Sequence, residues 1–295
     1  MAEAAESTLK FWAWDRLKTR PTDSSRVFSV LQWNTLNSEL SDRLTFPKID
    51  EKFSCWPYRQ ELIKKYLLTI PADFYCLEEI NTKTLESYTK VFESINLKVK
   101  FFVKSHELEG TLIAFNEEKW KSVEEFKYYY KEPENGEDMP NLVASVVFKN
   151  TKTDDFVQIA VTHLKSKHEF EETRYVQVQQ LIEVLNKTKR EFEEKHKTGF
   201  KTVLVGDFNA EPDWKSMRYV AENSGLASAF SDAPLTTFKI REKEYCRVID
   251  YIFHDPDLKV IARNAIPTKE EFGEDGLPNE CFPSDHFFLL AQFEY

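Results

Sequence analysis

Short apolar runs rich in Val, Ile, Phe and Tyr recur along the chain and predict its β-strands. Each run has the length of a buried strand and is bounded by polar or turn-forming residues. The runs cover residues 27–33, 74–77, 111–115, 142–148, 156–162, 202–205, 249–253 and 287–293. We therefore predict a strand at each of these positions.

Two other segments place their apolar residues on one helical face. The clearer segment covers residues 169–196, where Val178, Leu181 and Leu185 follow helical spacing. The second begins at Pro57, a residue suited to the first turn of a helix, and keeps the same kind of pattern beyond it. Both segments are predicted to be helices.

The predicted strands and helices are mixed along the whole chain. No internal repeat, Gly/Ser linker or low-complexity block divides it, and residues 131–140 and 268–283 are predicted to be exposed loops. We predict an N-terminal extension over residues 1–25 and one domain over residues 26–295. A mixed order with many strands suits an α/β fold in which two sheets pack face to face with helices outside.

The composition is that of a folded chain rather than a disordered one. Hydrophobic residues make up 41% of the 295 residues and include 24 Phe, 12 Tyr and 6 Trp, which is enough to bury a core. The formal net charge of −10 argues against a surface that attracts long nucleic acid everywhere. A polyanionic substrate must therefore bind a restricted basic patch.

The sequence favours a cytoplasmic location, with the nucleus as the alternative. The stretch before Arg26 lacks the apolar segment of a signal peptide, and no run approaches the roughly 20 apolar residues of a membrane span. The four cysteines form neither a C-x-x-C pair nor a zinc-binding spacing, so we expect them to be reduced. Nothing in the sequence indicates a protein partner.

Polar residues able to bind a metal or move a proton stand at the ends of several predicted strands, where active sites are commonly built. Asn34 follows residues 30–33, Glu79 follows 75–77, His163 follows 159–162, Asp207 and Asn209 follow 203–206, and Asp285 and His286 precede 287–290. Asp250 lies inside the apolar run 248–253, where a buried acid needs a partner.

Each of these residues also has a purely structural interpretation. Asn34 suits a turn or cap, Glu79 a helix N-terminus and His163 a satisfied strand histidine. Asp207 with Asn209 suits a strand exit, and residues 284–286 suit a capped turn. Taken together, however, the residues supply every group needed to hydrolyse a phosphate ester.

The metal ligands in this interpretation are oxygen atoms. Mg²⁺ prefers carboxylate and amide oxygens and keeps several waters, so Glu79 and Asn34, helped by Asp285 through water, would hold it. The absence of cysteine ligands disfavours zinc, and Mn²⁺ is the alternative cation.

The remaining residues would carry the proton transfers. An ionised Asp207 can orient and deprotonate water, while Asn209 holds that water or the phosphoryl oxygens. His163 and His286, if protonated, would stabilise charge developing on those oxygens. Asp250 would orient and charge His286.

These strand-end motifs resemble, in order, those of the endonuclease/exonuclease/phosphatase superfamily. The matching segments are residues 31–34, 76–79, 162–164, 206–212, 249–251 and 284–286. The resemblance covers about residues 26–295 and implies the four-layered α/β sandwich of deoxyribonuclease I, with two packed mixed β-sheets.

Within that superfamily the chain is most similar to the nocturnin family of the deadenylase branch. The stretches that carry this similarity are residues 56–59, 162–167, 236–241 and 246–251. Nocturnins are associated with removal of the 2′-phosphate of NADP(H). The resemblance therefore implies a nucleotide or dinucleotide phosphate as substrate, with RNA as the alternative.

The resemblance also implies a substrate-binding set, which consists of Asn141, Lys165, Lys167, Phe238 and Lys239. The three lysines also suit a solvated surface, and Phe238 suits either the core or a stack on adenine. Phe238 replaces the tryptophan usual in nocturnins, and Glu78 replaces the usual glutamine, which we expect to add negative charge beside Glu79. Two other functions stay open: a 3′–5′ poly(A) exoribonuclease and an inactive binding scaffold.

Overall fold

The structure is a computed structural model that describes residues 14–16, 23–42, 45–241 and 243–295. Its strands are β1 (Trp14–Arg16), β2 (Val27–Asn34), β3 (Phe74–Asn81), β4 (Lys98–Val103), β5 (Glu109–Phe115), β6 (Trp120–Lys131), β7 (Asp138–Asn150), β8 (Phe156–His163), β9 (Lys201–Asp207), β10 (Ala227–Ser228), β11 (Thr237–Ile240), β12 (Glu244–Arg247), β13 (Asp250–His254), β14 (Lys259–Asn264) and β15 (Leu289–Glu294). The helices are α1 (Glu51–Ser54), α2 (Trp56–Thr69), α3 (Leu85–Ser94), α4 (Glu171–His196), α5 (Lys215–Asn223) and α6 (Lys269–Phe272). Short 3₁₀ turns cover Ser24–Arg26 and His168–Phe170.

The strands form two mixed sheets and a separate hairpin. The first sheet has the order β1-β14-β15-β2-β3-β5-β4, and the second has the order β10-β13-β9-β8-β7-β6. The hairpin consists of β11 and β12. Apolar side chains of both sheets, among them Phe28, Phe74, Phe148 and Val205, form the core between them. The sheets therefore pack face to face, as predicted.

Helices cover the outer face of each sheet. Leu31 and Leu77 of the first sheet pack against Ile63 of α2 and Phe92 of α3. On the second sheet, apolar residues pack against α4 and α5 in the same way. The predicted four-layered α/β sandwich is confirmed. No helix in the described part of the chain is long and apolar enough to cross a membrane.

A pair of parallel strands lies inside each sheet and positions the polar residues. β2 runs parallel to β3, and β8 runs parallel to β9. The carboxyl ends of parallel neighbours lie at the same edge of a sheet. Because β2 and β3 also pack against β9 across the core, the two edges meet.

Every predicted strand and both predicted helices are present, and the differences lie in the elements between them. β6 was not predicted because its exposed positions carry charged residues. The predicted loop 131–140 is shorter than expected, since β7 already begins at Asp138. Residues 268–283 include the short helix α6. Of the predicted extension 1–25, residues 1–13 and 17–22 lie outside the described residues, and residues 14–16 pair with β14 as strand β1.

Candidate active site

The predicted catalytic and metal-binding residues meet in one cleft at the joined edges of the sheets. A cavity of about 490 Å³ opens there. Its walls include Glu79, His163, Asp207, Asn209, Asp285 and His286. Asn34 and Asp250 lie directly behind these residues and are almost fully buried.

A bulge in β3 directs Glu79 towards the cleft. The register of β3 against β5 shifts between Leu77 and Ile80, and Glu79 has a φ of 61°. A positive φ is costly for a residue other than glycine and is often found at functional sites. The bulge leaves two neighbouring acids with different surroundings, since Glu79 lines the cleft while Glu78 is completely buried.

Gly206 allows β9 to approach β8 closely enough to place Asp207 beside His163. These two residues are direct partners in the register of the parallel pair. Gly206 has a φ of 151°, and a Cβ atom there would lie 1.9 Å from the carbonyl oxygen of Thr162. Any side chain at this position would therefore push the two strands apart.

Asn34 joins two acids of the site through its amide nitrogen. Nδ2 donates to Glu79 Oε1 at 2.9 Å and to Asp207 Oδ2 at 3.0 Å. Its Oδ1 accepts a hydrogen bond from the backbone N–H of Leu36 at 3.0 Å. This pattern does not support the prediction that the Asn34 oxygen binds the metal, which stays a prediction.

Glu79 and Asp207 lack enough positive charge around them to keep their ordinary pKa values. Burial, and then the neighbouring Glu109, raises the pKa of Glu79. Burial and Asp250 raise the pKa of Asp207 to about 7. Asp285 Oδ1 is buried and has no hydrogen-bond partner among the described residues.

These features fit a divalent cation, which would relieve the repulsion between the acids and use the free oxygen. Ligand atoms of Glu79 and Asp207 lie within 4.8 Å of one another, so these carboxylates would hold the cation.

His163 is neutral in this environment. Its Nδ1 lies 3.4 Å from Nζ of Lys104, which forms a buried ion pair with Glu109. Burial and the Lys104 charge lower the pKa of His163 well below its usual range. Because Nδ1 faces an ammonium group, the ring proton belongs on Nε2. Nε2 lies 3.9 Å from Glu79 Oε1 and 3.7 Å from Asp207 Oδ2. The prediction that His163 acts as a charged donor is therefore replaced by a neutral N–H donor.

His286, in contrast to His163, is positively charged. Its Nδ1 lies 2.9 Å from Asp250 Oδ2, and its Nε2 lies 3.8 Å from Asp207 Oδ2. Burial alone would lower its pKa, but Asp250, with Asp285 and Asp207, raises the pKa of His286 to about 10. The predicted pairing of Asp250 with His286 agrees with this geometry.

Glu78 does not add the negative charge that the sequence suggested. It is fully buried, and Gln32 donates from Nε2 to both Glu78 Oε2 and Asp250 Oδ1 at 3.1 Å. Burial, Asp250 and Asp207 raise the pKa of Glu78 well above its usual range. Glu78 is thus a neutral acid, linked through Gln32 to Asp250 behind the cleft.

Phe238 does not contact the cleft, and its predicted stacking role is wrong for this structure. It is 0% exposed and packs with Phe272, Leu277 and Phe287 in a core cluster below the hairpin. Its neighbour Lys239 does reach the site, where Nζ donates to Asp285 Oδ2 at 2.8 Å. Although burial opposes it, the Lys239 charge holds the pKa of Asp285 at about 2.

The other predicted substrate residues have separate positions. Lys167 lines the 490 Å³ cavity, whereas Lys165 and Asn141 line an adjoining cavity of about 450 Å³. Lys165 and Lys167 therefore do not form one anion site together. Asn141 is buried and donates from Nδ2 to the carbonyl oxygen of His163 at 2.8 Å, so it supports that histidine. Asn209 donates from Nδ2 to the carbonyl oxygen of Leu164 at 3.1 Å.

Several residues of the site were not predicted. Lys104 sets the charge of His163, and Arg241, Tyr245 and Arg247 line the main cavity. The alternating side chains of the hairpin β11–β12 could have indicated the last two, because residues two positions apart share a face. Lys104 has no comparable local signal, since its contact with His163 spans 59 residues.

Comparison with known proteins gives a consistent family. The sequence model of the Endonuclease/Exonuclease/phosphatase family matches residues 31–286. Nocturnin of Xenopus laevis is 26% identical over 293 residues, which cover 92% of this chain and 73% of that protein. The CCR4-Not complex 3′-5′-exoribonuclease subunit Ccr4 of Saccharomyces cerevisiae is 23% identical over 338 residues, covering 92% of this chain and 39% of that protein.

Two solved structures are similar in fold. The human Nocturnin catalytic domain with bound sulfate has a TM-score of 0.75 and 22% identity, with coverage of 96% of this chain and 97% of that chain. ANGEL2, described as a 2′,3′-cyclic phosphatase in complex with adenosine-2′,3′-vanadate, has a TM-score of 0.82 and 20% identity. That similarity covers 96% of this chain and 98% of the ANGEL2 chain.

Proposed function

This chain is a phosphohydrolase of the endonuclease/exonuclease/phosphatase family, and we propose that it removes the 2′-phosphate of NADP(H) or of a similar adenosine phosphate with the help of Mg²⁺. Mn²⁺ is the alternative cation. The single observation that supports hydrolysis of a phosphate ester is the position of Asp207 between two histidines. Its Oδ2 lies 3.7 Å from His163 Nε2 and 3.8 Å from His286 Nε2.

In the proposed reaction, the cation and Asp207 have separate roles. A divalent cation near Glu79 supplies positive charge to the phosphoryl oxygens when it is bound. Asp207 accepts a proton from the attacking water, and its pKa of about 7 suits a general base near neutral pH. As the new P–O bond forms, the bond from phosphorus to the ribose oxygen breaks.

The leaving ribose oxygen needs a proton, and His286 can donate one from Nε2 because it is charged. His163 remains neutral and donates a hydrogen bond from Nε2 to a phosphoryl oxygen. Asp250 holds the orientation and charge of His286 throughout.

The size and charge of the cleft support a small substrate. A cavity of about 490 Å³ is within the range that encloses a nucleotide. Lys167, Arg241 and Arg247 line its walls together with the acids of the site, whereas the whole chain carries a net charge of −10. These three cations can bind the few phosphate charges of a small substrate.

The similar proteins support an adenosine phosphate in particular. The ANGEL2 structure holds an adenosine whose 2′ and 3′ oxygens carry vanadate. Nocturnin of Xenopus laevis is 26% identical to this chain, and the resemblance of the motifs to the nocturnin family implies the 2′-phosphate of NADP(H). A phosphate ester on the ribose of an adenosine is common to both.

The second candidate is a 3′–5′ exoribonuclease that shortens poly(A). The similarity to Ccr4 over 92% of this chain favours it, and both activities would use the same acids and histidines. The inactive-scaffold alternative is disfavoured because every proposed catalytic residue is present and assembled.

A substrate panel tests the proposal. Purified protein with Mg²⁺ should release inorganic phosphate from NADPH and NADP⁺ and cleave oligo(A) poorly. The Glu79→Ala variant should lose this activity and should also lose any rise in melting temperature caused by Mg²⁺. A ladder of shortened oligo(A), with no phosphate released from NADPH, would replace this proposal with the exoribonuclease.

A further inference from the structure

Arg59 of helix α2 is a buried cation whose hydrogen-bond partners are all neutral. Its side chain is 0% exposed, and its hydrogen bonds to the described residues go to three backbone carbonyl oxygens rather than to a carboxylate. Its Nη1 atom is also buried and has no hydrogen-bond partner among those residues. A guanidinium group that is removed from water without a carboxylate partner costs free energy. The positions of the three carbonyl oxygens indicate what these contacts do.

Two of the three contacts fix the backbone that follows β2. Nη2 of Arg59 donates to the carbonyl oxygens of Thr35 and Leu36, each at 2.5 Å. Leu36 has a φ of 60°, a conformation that costs free energy in a residue with a side chain. The two hydrogen bonds hold this strained backbone in place.

The same stretch of backbone carries the two donors to the carboxylate of Glu79. Asn34 Nδ2 lies 2.9 Å from Glu79 Oε1, and the backbone N–H of Asn37 donates to Glu79 Oε2 at 2.8 Å. These two donors stand immediately before and after the pair of carbonyl groups that Arg59 binds. The orientation of the Glu79 carboxylate therefore depends on Arg59 through this backbone.

The third contact reaches the backbone just before Asp285. Nε of Arg59 donates to the carbonyl oxygen of Pro283 at 2.6 Å. The neighbouring Ser284 donates from Oγ to the carbonyl oxygen of Asn34 at 2.7 Å, which is a second link between the two stretches of backbone. The guanidinium group thus ties the backbone that orients one acid of the cleft to the backbone that carries another.

We propose that Arg59 is a positioning residue for the divalent cation, which holds Glu79 and Asp285 at the spacing that the cation needs. This inference rests on the proposed function, because that function assigns a divalent cation to the cleft. Groups behind metal ligands orient them, and a planar guanidinium fork can bind several carbonyl oxygens at fixed angles, which an ammonium group cannot. Arg59 does not line the cavity itself and acts through the two acids.

Cation binding without substrate tests this role. The probe is Mn²⁺, and free Mn²⁺ is measured by electron paramagnetic resonance during a titration of the purified full chain. Arg59→Lys keeps the charge but loses the planar fork, and Arg59→Met loses both. Each variant should bind Mn²⁺ about 10- to 100-fold more weakly than the wild type, the usual loss when an outer partner of a metal ligand is removed.

The dependence of turnover on Mg²⁺ separates positioning from a general loss of structure. Phosphate release from NADPH by Arg59→Lys should need a higher Mg²⁺ concentration, and saturating Mg²⁺ should restore most of kcat. A variant that is only destabilised would instead have a lower melting temperature and the Mg²⁺ dependence of the wild type. Circular dichroism checks that each variant is folded, and Arg59→Lys decides the test if Arg59→Met does not fold.

Arg174 of α4 provides a matched control. It is also 0% exposed, and it donates to the carbonyl oxygens of Lys165, Lys167 and His168 at 2.6 to 3.2 Å. These carbonyl groups lie in the segment after β8 and not in the backbone that orients Glu79. Arg174→Lys should therefore keep the wild-type affinity for Mn²⁺.

The outcomes distinguish this inference from the proposed function. Wild-type affinity for Mn²⁺ in folded Arg59→Lys, an equal loss of affinity in Arg174→Lys, or a kcat that saturating Mg²⁺ does not restore would overturn the positioning role. If no phosphate is released from NADPH while the affinity for Mn²⁺ depends on Arg59, the proposed reaction is wrong and the positioning role stands.

Discussion

The regions around His163 and His286 lie on opposite sides of Asp207 and differ in the charges they contain. His163 ends β8 and has Lys104 at its Nδ1, 3.4 Å away. His286 precedes β15 and has Asp250 at its Nδ1, 2.9 Å away. The two side chains are buried to the same extent, with exposures of 5% and 6%. Their pKa values nevertheless shift in opposite directions.

Burial cannot explain this difference, because it disfavours the charged form of both rings. The direction of each pKa shift follows from the nearest charged group, which is a lysine beside His163 and an aspartate beside His286. Lys104 keeps its own charge because Glu109 offsets the cost of burying it. Two histidines of similar position can thus supply a neutral hydrogen-bond donor and an acid within one site.

The largest effect is expected from Asp207, the acid that both regions share. Asp207→Asn keeps the shape but cannot accept the water proton, so kcat should fall by about 10² to 10⁴. Substrate affinity, measured by equilibrium binding, should survive. Reduced affinity at unchanged turnover would instead make Asp207 a binding residue.

A smaller loss of kcat is expected when the negative charge of Asp250, beside His286, is removed. Asp250→Asn should lower kcat by about 10², the lower end for general acid–base catalysis. His286 is charged below its pKa of about 10, so its contribution is lost as pH rises through that value. Without the Asp250 charge its pKa falls, and the alkaline limb of the pH–kcat profile should move to lower pH. An unmoved limb would contradict the charged state of His286.

The smallest effect is expected on the His163 side. Lys104→Met removes the neighbouring ammonium, so the pKa of His163 should rise and less of it should be neutral. The titration of the His163 ring, followed by NMR, should then move to higher pH, with only a small effect on kcat because Asp207, with a pKa of about 7, already sets the acid limb of the pH–kcat profile.

Matched variants separate the charge of Lys104 from its packing. Lys104→Arg keeps the charge and should leave the His163 titration in place. Because Lys104→Met leaves Glu109 buried without its partner, Lys104→Met combined with Glu109→Gln provides a second measurement. If both uncharged variants kept the wild-type titration of His163, Lys104 would not control the His163 charge.

Much of this site could be predicted from the sequence because its signals are local. Apolar runs of strand length ending in Asn34, Glu79, His163 and Asp207 are recognisable without a partner strand. The same motifs resembled a known family, which implied the sandwich that the structure confirms. The fold class and the set of candidate catalytic residues can therefore be predicted from the sequence alone.

The tertiary structure alone decided which way side chains point and what charge they carry. The sequence alone does not show that Phe238 points into the core. Strand alternation places Phe238 and Tyr245 on opposite faces of the hairpin, but this follows only when the register between β11 and β12 is known. The neutral state of His163 and the positive charge of His286 depend on Lys104 and Asp250, which lie 59 and 36 residues away along the chain. A local pattern can show which groups are present, but pKa values depend on burial and on neighbours that only folding brings together.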